Sequence, residues 1–261
     1  MDREKKTIKV ETSSIAACGI SDPGRVRSEN EDSISLHEDG FCLLLADGMG
    51  GHERGSEASS TALEVISQHI QPDILSEKVM DTTQVEGIPT EINCLYSMVD
   101  DAVSKANAEL QKRNKEANLE RYMGTTLVGV VFVGIYILWF HVGDSRLYRW
   151  RDSKLQRLTS DHSAFSEWEV KGKKGEKPGK NVITRAIGPS KGAVPDIAWE
   201  EYKKGDLYFM CSDGLNDMIV EDEIINIMNE ETDVNNLTQK LIDAANNAGG
   251  NDNVSVVISR V

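Results

Sequence analysis

The chain has 261 residues, enough for one substantial core, and its 39% hydrophobic and 28% charged residues are ordinary for a soluble globular protein. Its 29 Lys and Arg against 43 Asp and Glu leave a net charge of −14, which repels nucleic-acid backbones and anionic membranes. Cys18, Cys42, Cys94 and Cys211 stand far apart with no CxxC pair, so neither a zinc site nor a disulfide framework is indicated and a reducing cytoplasm is the expected compartment.

The first residues carry charges with no apolar stretch behind them, so no secretory signal is read there. "IAACGI" predicts a strand, and "DSISLHEDGFCLLLAD" a strand pair turning at Asp39-Gly40. Ala58, Ala62, Val65, Ile66, His69 and Ile70 keep helical spacing. Residues 71–91, polar and holding Pro72 and Pro89, read as a loop. A long helix follows, because Leu95, Val99, Ala102, Ala106 and Leu110 recur on one face. "LVGVVFVGIYILWF", Leu127 to Phe140, is 14 residues long. A spanning helix needs about 20, so this segment reads as two buried strands joined near Gly134.

"SRLYRW" and "KLQRLT" continue as strands, and the lysine- and glycine-rich "EVKGKKGEKPGKN", Glu169 to Asn181, reads as a mobile surface loop. "DLYFMCSD" is a strand, residues 215–229 and 235–248 are helical, and "VSVVISRV" is a closing strand. Paired strands with long helices between them favour an α+β fold over a doubly wound sheet, in one domain.

The acidic residues are placed with unusual regularity. "CLLLAD" drives an apolar strand into Asp47, "YILWFHVGD" another into Asp144, and "LYFMCSD" a third into Asp213. Asp252 precedes the last strand and the pair Glu31-Asp32 precedes an earlier one. Any single Asp-Gly is more often a turn than a ligand, and Asp39-Gly40 is read as one. Five such sites at the ends of apolar strands can converge, and converging carboxylates repel unless a cation compensates. Oxygen-only ligands indicate a hard ion, Mg²⁺ or Mn²⁺, and the carbonyl of Gly48 can join them. Arg27 offers a planar fork for a phosphate dianion, although a loop arginine is more often just solvated.

"RSENED", "LADGMGGHERGSEAS", "MGTTL", "HVGDSRLYR", "LTSDHS", "ITRAIG", "CSDGL" and "GGNDNVSVV" occur in the order found in the metal-dependent serine/threonine phosphatases of type 2C, the PPM family, and the chain resembles a bacterial-type member from about residue 18 onward. The resemblance implies a four-layer αββα sandwich, two antiparallel sheets flanked by helix pairs, as a single domain over 1–261 with its core from about 15 and a flap at about 163–182. It implies that Asp47 bridges two Mn²⁺ or Mg²⁺ ions, that the Gly48 carbonyl, Asp213 and Asp252 complete the first site, that Glu31 serves the second and that Asp32 acts through water. Asp144, with Asp213 shared, matches a weaker third metal site, and Arg27 the holder of the substrate phosphate. The implied reaction is hydrolysis of phosphoserine or phosphothreonine in phosphoproteins by a hydroxide bridging the two metals, with no phosphoenzyme. The expected protein is a cytoplasmic monomer that binds neither nucleic acid nor membrane; its partners are phosphoprotein substrates and a cognate serine/threonine kinase.

The family pattern is weakest at the general acid. Some members carry a histidine two residues after the bridging aspartate, where this chain has Met49. His52 is the nearby alternative as an acid or metal-water contact, against the plainer reading of a surface residue in a glycine loop. The rival reading of the whole chain is a catalytically weak regulatory, partner-binding member of the same fold. It is disfavoured because every ligand position is filled.

Overall fold

The computed structural model describes residues 5–50, 53–118, 122–179, 181–189 and 193–261. Twelve strands and seven helices follow one another as β1 (Lys6–Glu11), β2 (Ala16–Asp22), β3 (Asp32–Leu36), β4 (Cys42–Met49), α1 (Glu53–His69), α2 (Pro72–Asp81), α3 (Thr90–Glu116), β5 (Gly124–Thr125), β6 (Leu127–Val133), β7 (Tyr136–Val142), β8 (Arg146–Arg151), β9 (Lys154–Arg157), α4 (Ala164–Val170), β10 (Asp196–Glu201), β11 (Leu207–Cys211), α5 (Asp213–Asn216), α6 (Glu221–Glu230), α7 (Val234–Asn247) and β12 (Val254–Arg260) among the described residues. They form two sheets, one ordered β1-β2-β12-β11-β8-β9 and the other β10-β7-β6-β4-β3, with the short β5 paired to β4. Adjacent strands are antiparallel throughout.

Strand alternation explains the layering. In β4, Leu43 and Leu45 point into the space between the sheets, where they meet Val128, Val130, Tyr208, Met210 and Val257. Cys42, Leu44 and Ala46 point the other way, onto a core shared with α1, α2 and α3. On the opposite sheet Val254, Val256 and Ile258 of β12 pack with Leu237 and Leu241 of α7 and Ile224 of α6. Helices cover the outer face of each sheet, so strands buried on both faces read as unbroken apolar runs. The α+β sandwich expected from the resemblance is the fold observed.

Several elements depart from the sequence reading. Residues 72–81 are helical, not loop: Pro72 occupies the first turn, where its missing N–H costs no hydrogen bond, and Leu75 is buried. The reading of 215–229 as one helix splits into α5 and α6. The segment 169–181 begins inside α4, which Ser163 caps by accepting the Ser166 N–H at 3.2 Å. The edge strands β1 and β10 were not anticipated. The hairpin expected near Gly134 is present, with that residue at φ +58°.

Candidate metal centre and active site

The β3–β4 hairpin sets Asp32 directly opposite Asp47 in register. Asp47 is locked by its backbone: its N–H donates to Thr126 Oγ1 at 3.0 Å, and its carbonyl accepts from Thr126 N at 2.8 Å and Thr125 Oγ1 at 2.8 Å. The "MGTTL" motif therefore splints the strand end that carries Asp47. Gly48 is a glycine for packing: a Cβ there would overlap the carbonyl of Gly55 and the carbonyl of Glu31. The backbone therefore approaches closely at this place, as only a glycine permits.

The opposite sheet delivers Asp213, the first residue of α5 just beyond the end of β11, and Asp252, two residues before β12. Asp144 lies in the turn between β7 and β8, and a cavity of about 190 Å³ beside it is lined by Asp213, Asp217, Arg146, Asp161 and the flap residue Phe165. Glu31 is fixed through its N–H, which donates to Asn253 Oδ1 at 2.8 Å, and its Oε1 accepts the Gly55 N–H of α1 at 3.1 Å. Asp32 is buried and accepts from Ser212 Oγ at 2.9 Å. Arg27 is exposed, and its Nη2 lies 2.8 Å from Asp252 Oδ2. His52 lies outside the described residues.

Electrostatics tie these side chains into one site. Burial, and then the charges of Asp32, Asp213, Asp144 and Asp252, push the Asp47 carboxyl well above the usual carboxylate range. Asp213 is raised to about 7, by burial first and then by Asp144 and Asp252. Asp144 is raised to about 6, by burial and then by Asp161. Burial raises Asp32 and Glu31 as well, each with Asp252 among the neighbours that add to it. Such mutual repulsion among oxygen donors is what hard divalent cations relieve, so the residues present fit Mn²⁺ or Mg²⁺.

Among the described residues, the group of three or more potential ligands whose donor atoms lie within 4.8 Å of one another is His141, His162 and Asp196, not these carboxylates. A pair of ions about 3.5–4 Å apart, each with ligands about 2 Å away, spreads its ligand shell wider than that. The sequence reading missed Thr125, Thr126, Asn253 and Ser212. Their polar side chains within "MGTTL", "NDN" and "CSD" were the available signal, since a polar residue buried beside an apolar strand needs a partner.

The sequence profile described as "Protein phosphatase 2C" matches residues 25–255. Protein phosphatase PhpP of Streptococcus pneumoniae is 30% identical over 249 residues, covering 92% of this chain and 94% of that protein. The crystal structure of the Mycobacterium tuberculosis serine/threonine phosphatase PstP/Ppp superposes with a TM-score of 0.79 at 30% identity, covering 95% of this chain and 98% of that one. A structure of the PstP catalytic domain in complex with two manganese ions gives 0.77 at 30% identity, covering 94% and 97%. With its sandwich, its opposed carboxylates and a profile match over nearly its whole length, the chain belongs to the protein phosphatase 2C family, the metal-dependent serine/threonine protein phosphatases of bacterial type.

Proposed function

We propose that the protein hydrolyses phosphoserine and phosphothreonine in phosphoproteins, with Asp47, the Gly48 carbonyl, Asp213 and Asp252 holding one divalent cation, Asp47 and Glu31 a second, Asp32 supporting through water, and Asp144 with Asp213 a weaker third. The observation that supports this most is that the strands and turns of both sheets bring Asp32, Asp144, Asp213 and Asp252 close enough for their charges to act on the Asp47 carboxyl. When bound, Mn²⁺ or Mg²⁺ would activate water and neutralise the phosphoryl oxygens.

The side chains around that centre have separable tasks. Asp47 is held stiffly by the Thr125-Thr126 splint, which suits a ligand whose position must be kept within fractions of an ångström. Arg27, on the exposed rim, can exchange its contact with Asp252 for the two oxygens of an incoming phosphate. A covalent phosphoenzyme finds no support among the cysteines: all are buried, and burial pushes the Cys42 and Cys211 thiols up to about 12. We further read the chain as one domain working in the cytoplasm as a monomer, opposite a serine/threonine kinase. Consistent with that, no described helix is long and apolar enough to cross a membrane.

The test is hydrolysis of a phosphothreonine peptide with Mn²⁺, compared across wild type, chelator-treated wild type and Asp213→Asn. Both perturbations should remove turnover, by about a hundredfold or more. Activity that persisted in chelator would refute the metal-dependent reading.

A further inference from the structure

Asp144 enters the cleft from a turn whose first residue is Gly143, at φ +106°, where a Cβ would press on Thr126 Cγ2 at 2.7 Å. Both backbone polar groups of Gly143 go to a single residue. Its N–H donates to His162 Nδ1 at 3.1 Å, and its carbonyl accepts the His162 N–H at 2.9 Å. His162 is only 6% exposed, and its ring stacks on His141 with centroids 4.4 Å apart and planes 22° from parallel. His141 is itself tied down by Nε2 donating to the Ser160 carbonyl at 2.9 Å. The flanking residues are fastened too. Asp161 takes the Arg146 fork at 2.9 and 2.7 Å, and Ser163 bridges to Ile183 where the flap returns. The His162 carbonyl accepts the Thr184 N–H at 2.8 Å.

These partners fix the ring's chemistry. A nitrogen that accepts an amide N–H carries the lone pair, so His162 is neutral with its hydrogen on Nε2. That nitrogen faces Asp196 at 3.2 Å without a well-aligned hydrogen bond. Burial lowers the His162 pKa and favours the neutral ring. The same constraints exclude a metal ion shared by His141, His162 and Asp196. His162 Nε2 has no lone pair to give, and one ion cannot lie in the planes of two rings stacked face to face.

We propose that His162 is a positioning residue for Asp144: by gripping both the N–H and the carbonyl of Gly143 it sets the direction from which the Asp144 carboxylate reaches metal, and through its own carbonyl it registers the flap against the same turn. The inference rests on the reading of Asp144 as a ligand. It differs from a packing role because only one ring nitrogen matters. An asparagine at 162 places an amide oxygen near where Nδ1 lies, whereas a glutamine reaches toward Nε2 and leaves the Gly143 N–H without its acceptor.

The experiment begins with the wild-type chain. Nitrogen-15 spectra should show His162 neutral with hydrogen on Nε2, and hydrogen on Nδ1 would overturn the clamp whether or not any variant folds. His162→Asn and His162→Gln are then compared by Gly143 amide exchange and by calorimetric Mn²⁺ titration, with Asp144→Ala as reference. His162→Gln should expose the Gly143 amide and weaken the weakest Mn²⁺ step by roughly ten- to a hundredfold, the range for losing a ligand-orienting partner. His162→Asn should stay close to wild type in both. Equal behaviour of the two variants sinks the proposal. If Asp144→Ala weakens that step and His162→Gln does not, the clamp fails while Asp144 stands as a ligand. If Asp144→Ala leaves the titration unchanged, the ligand reading of Asp144 fails, and the clamp is judged on the Gly143 amide alone.

Discussion

Asn253 shows how much of the site is built by residues that never touch a substrate. Its Oδ1 accepts the Glu31 N–H at 2.8 Å, while its Nδ2 donates to the carbonyls of Glu29 at 2.8 Å and Pro23 at 3.1 Å. One buried amide thus pins the loop carrying Glu31 to the strand start carrying Asp252. Asn253→Ala should take this partner from three backbone groups, one buried and two part-buried, lowering stability by about 1–3 kcal/mol. It should also weaken Mn²⁺ by about tenfold or more, by displacing Glu31. Melting curves with a parallel Mn²⁺ titration check both, and unchanged Mn²⁺ affinity would show that Glu31 is placed by other means. The acidic residues themselves were legible, because an apolar run that stops at a carboxylate is conspicuous. Asn253 was not, since an amide in a Gly- and Asn-rich stretch looks like a turn former until its partners are known.

At the scale of elements, β4 decides where the site lies. Leu43 and Leu45 are fully buried between the sheets, and Leu44 and Ala46 are equally buried toward the helices. Truncation of Leu45 to alanine, two residues from Asp47, should cost about 2–5 kcal/mol, measurable by urea denaturation. A loss below about 1 kcal/mol would mean that the two layers collapse readily around the gap. The strands that bury both faces and the helices with a continuous apolar stripe were readable from spacing alone. β1 and β10 were not: at the sheet edges their residues are largely exposed or half-buried, so no periodicity marks them. The helix α2 was obscured by Pro72, which signals a break in the interior of a helix but a start in its first turn.

The molecule as a whole carries a charge of −14, and part of that excess is concentrated in the cleft. Asp144, raised to about 6, and Asp213, raised to about 7, keep protons in the folded metal-free chain that an unfolded carboxylate of pKa about 3.9 has released. Their contribution to stability is therefore full below about pH 4 and is lost as pH rises through about 7. Metal-free protein should melt at progressively lower temperature across that window, and Asp213→Asn should flatten the decline. Saturating Mn²⁺ should reverse the trend, because the cation replaces those protons. Calorimetry across the range decides it, and a metal-free melting temperature that climbs equally in wild type and Asp213→Asn would contradict the assignment.

Asp32 and Asp47 hang from one sheet, Asp213 and Asp252 from the other, and a largely apolar filling packs between the two sheets. Leu43, Leu45, Val128, Val257 and Met210 thereby serve as a shim, whose thickness sets how far apart the two halves of the acidic jaw are held. Swapping methylene groups in that filling, well away from any ligand, should change that separation and turnover with it, much as a gap is gauged by the spacer placed in it.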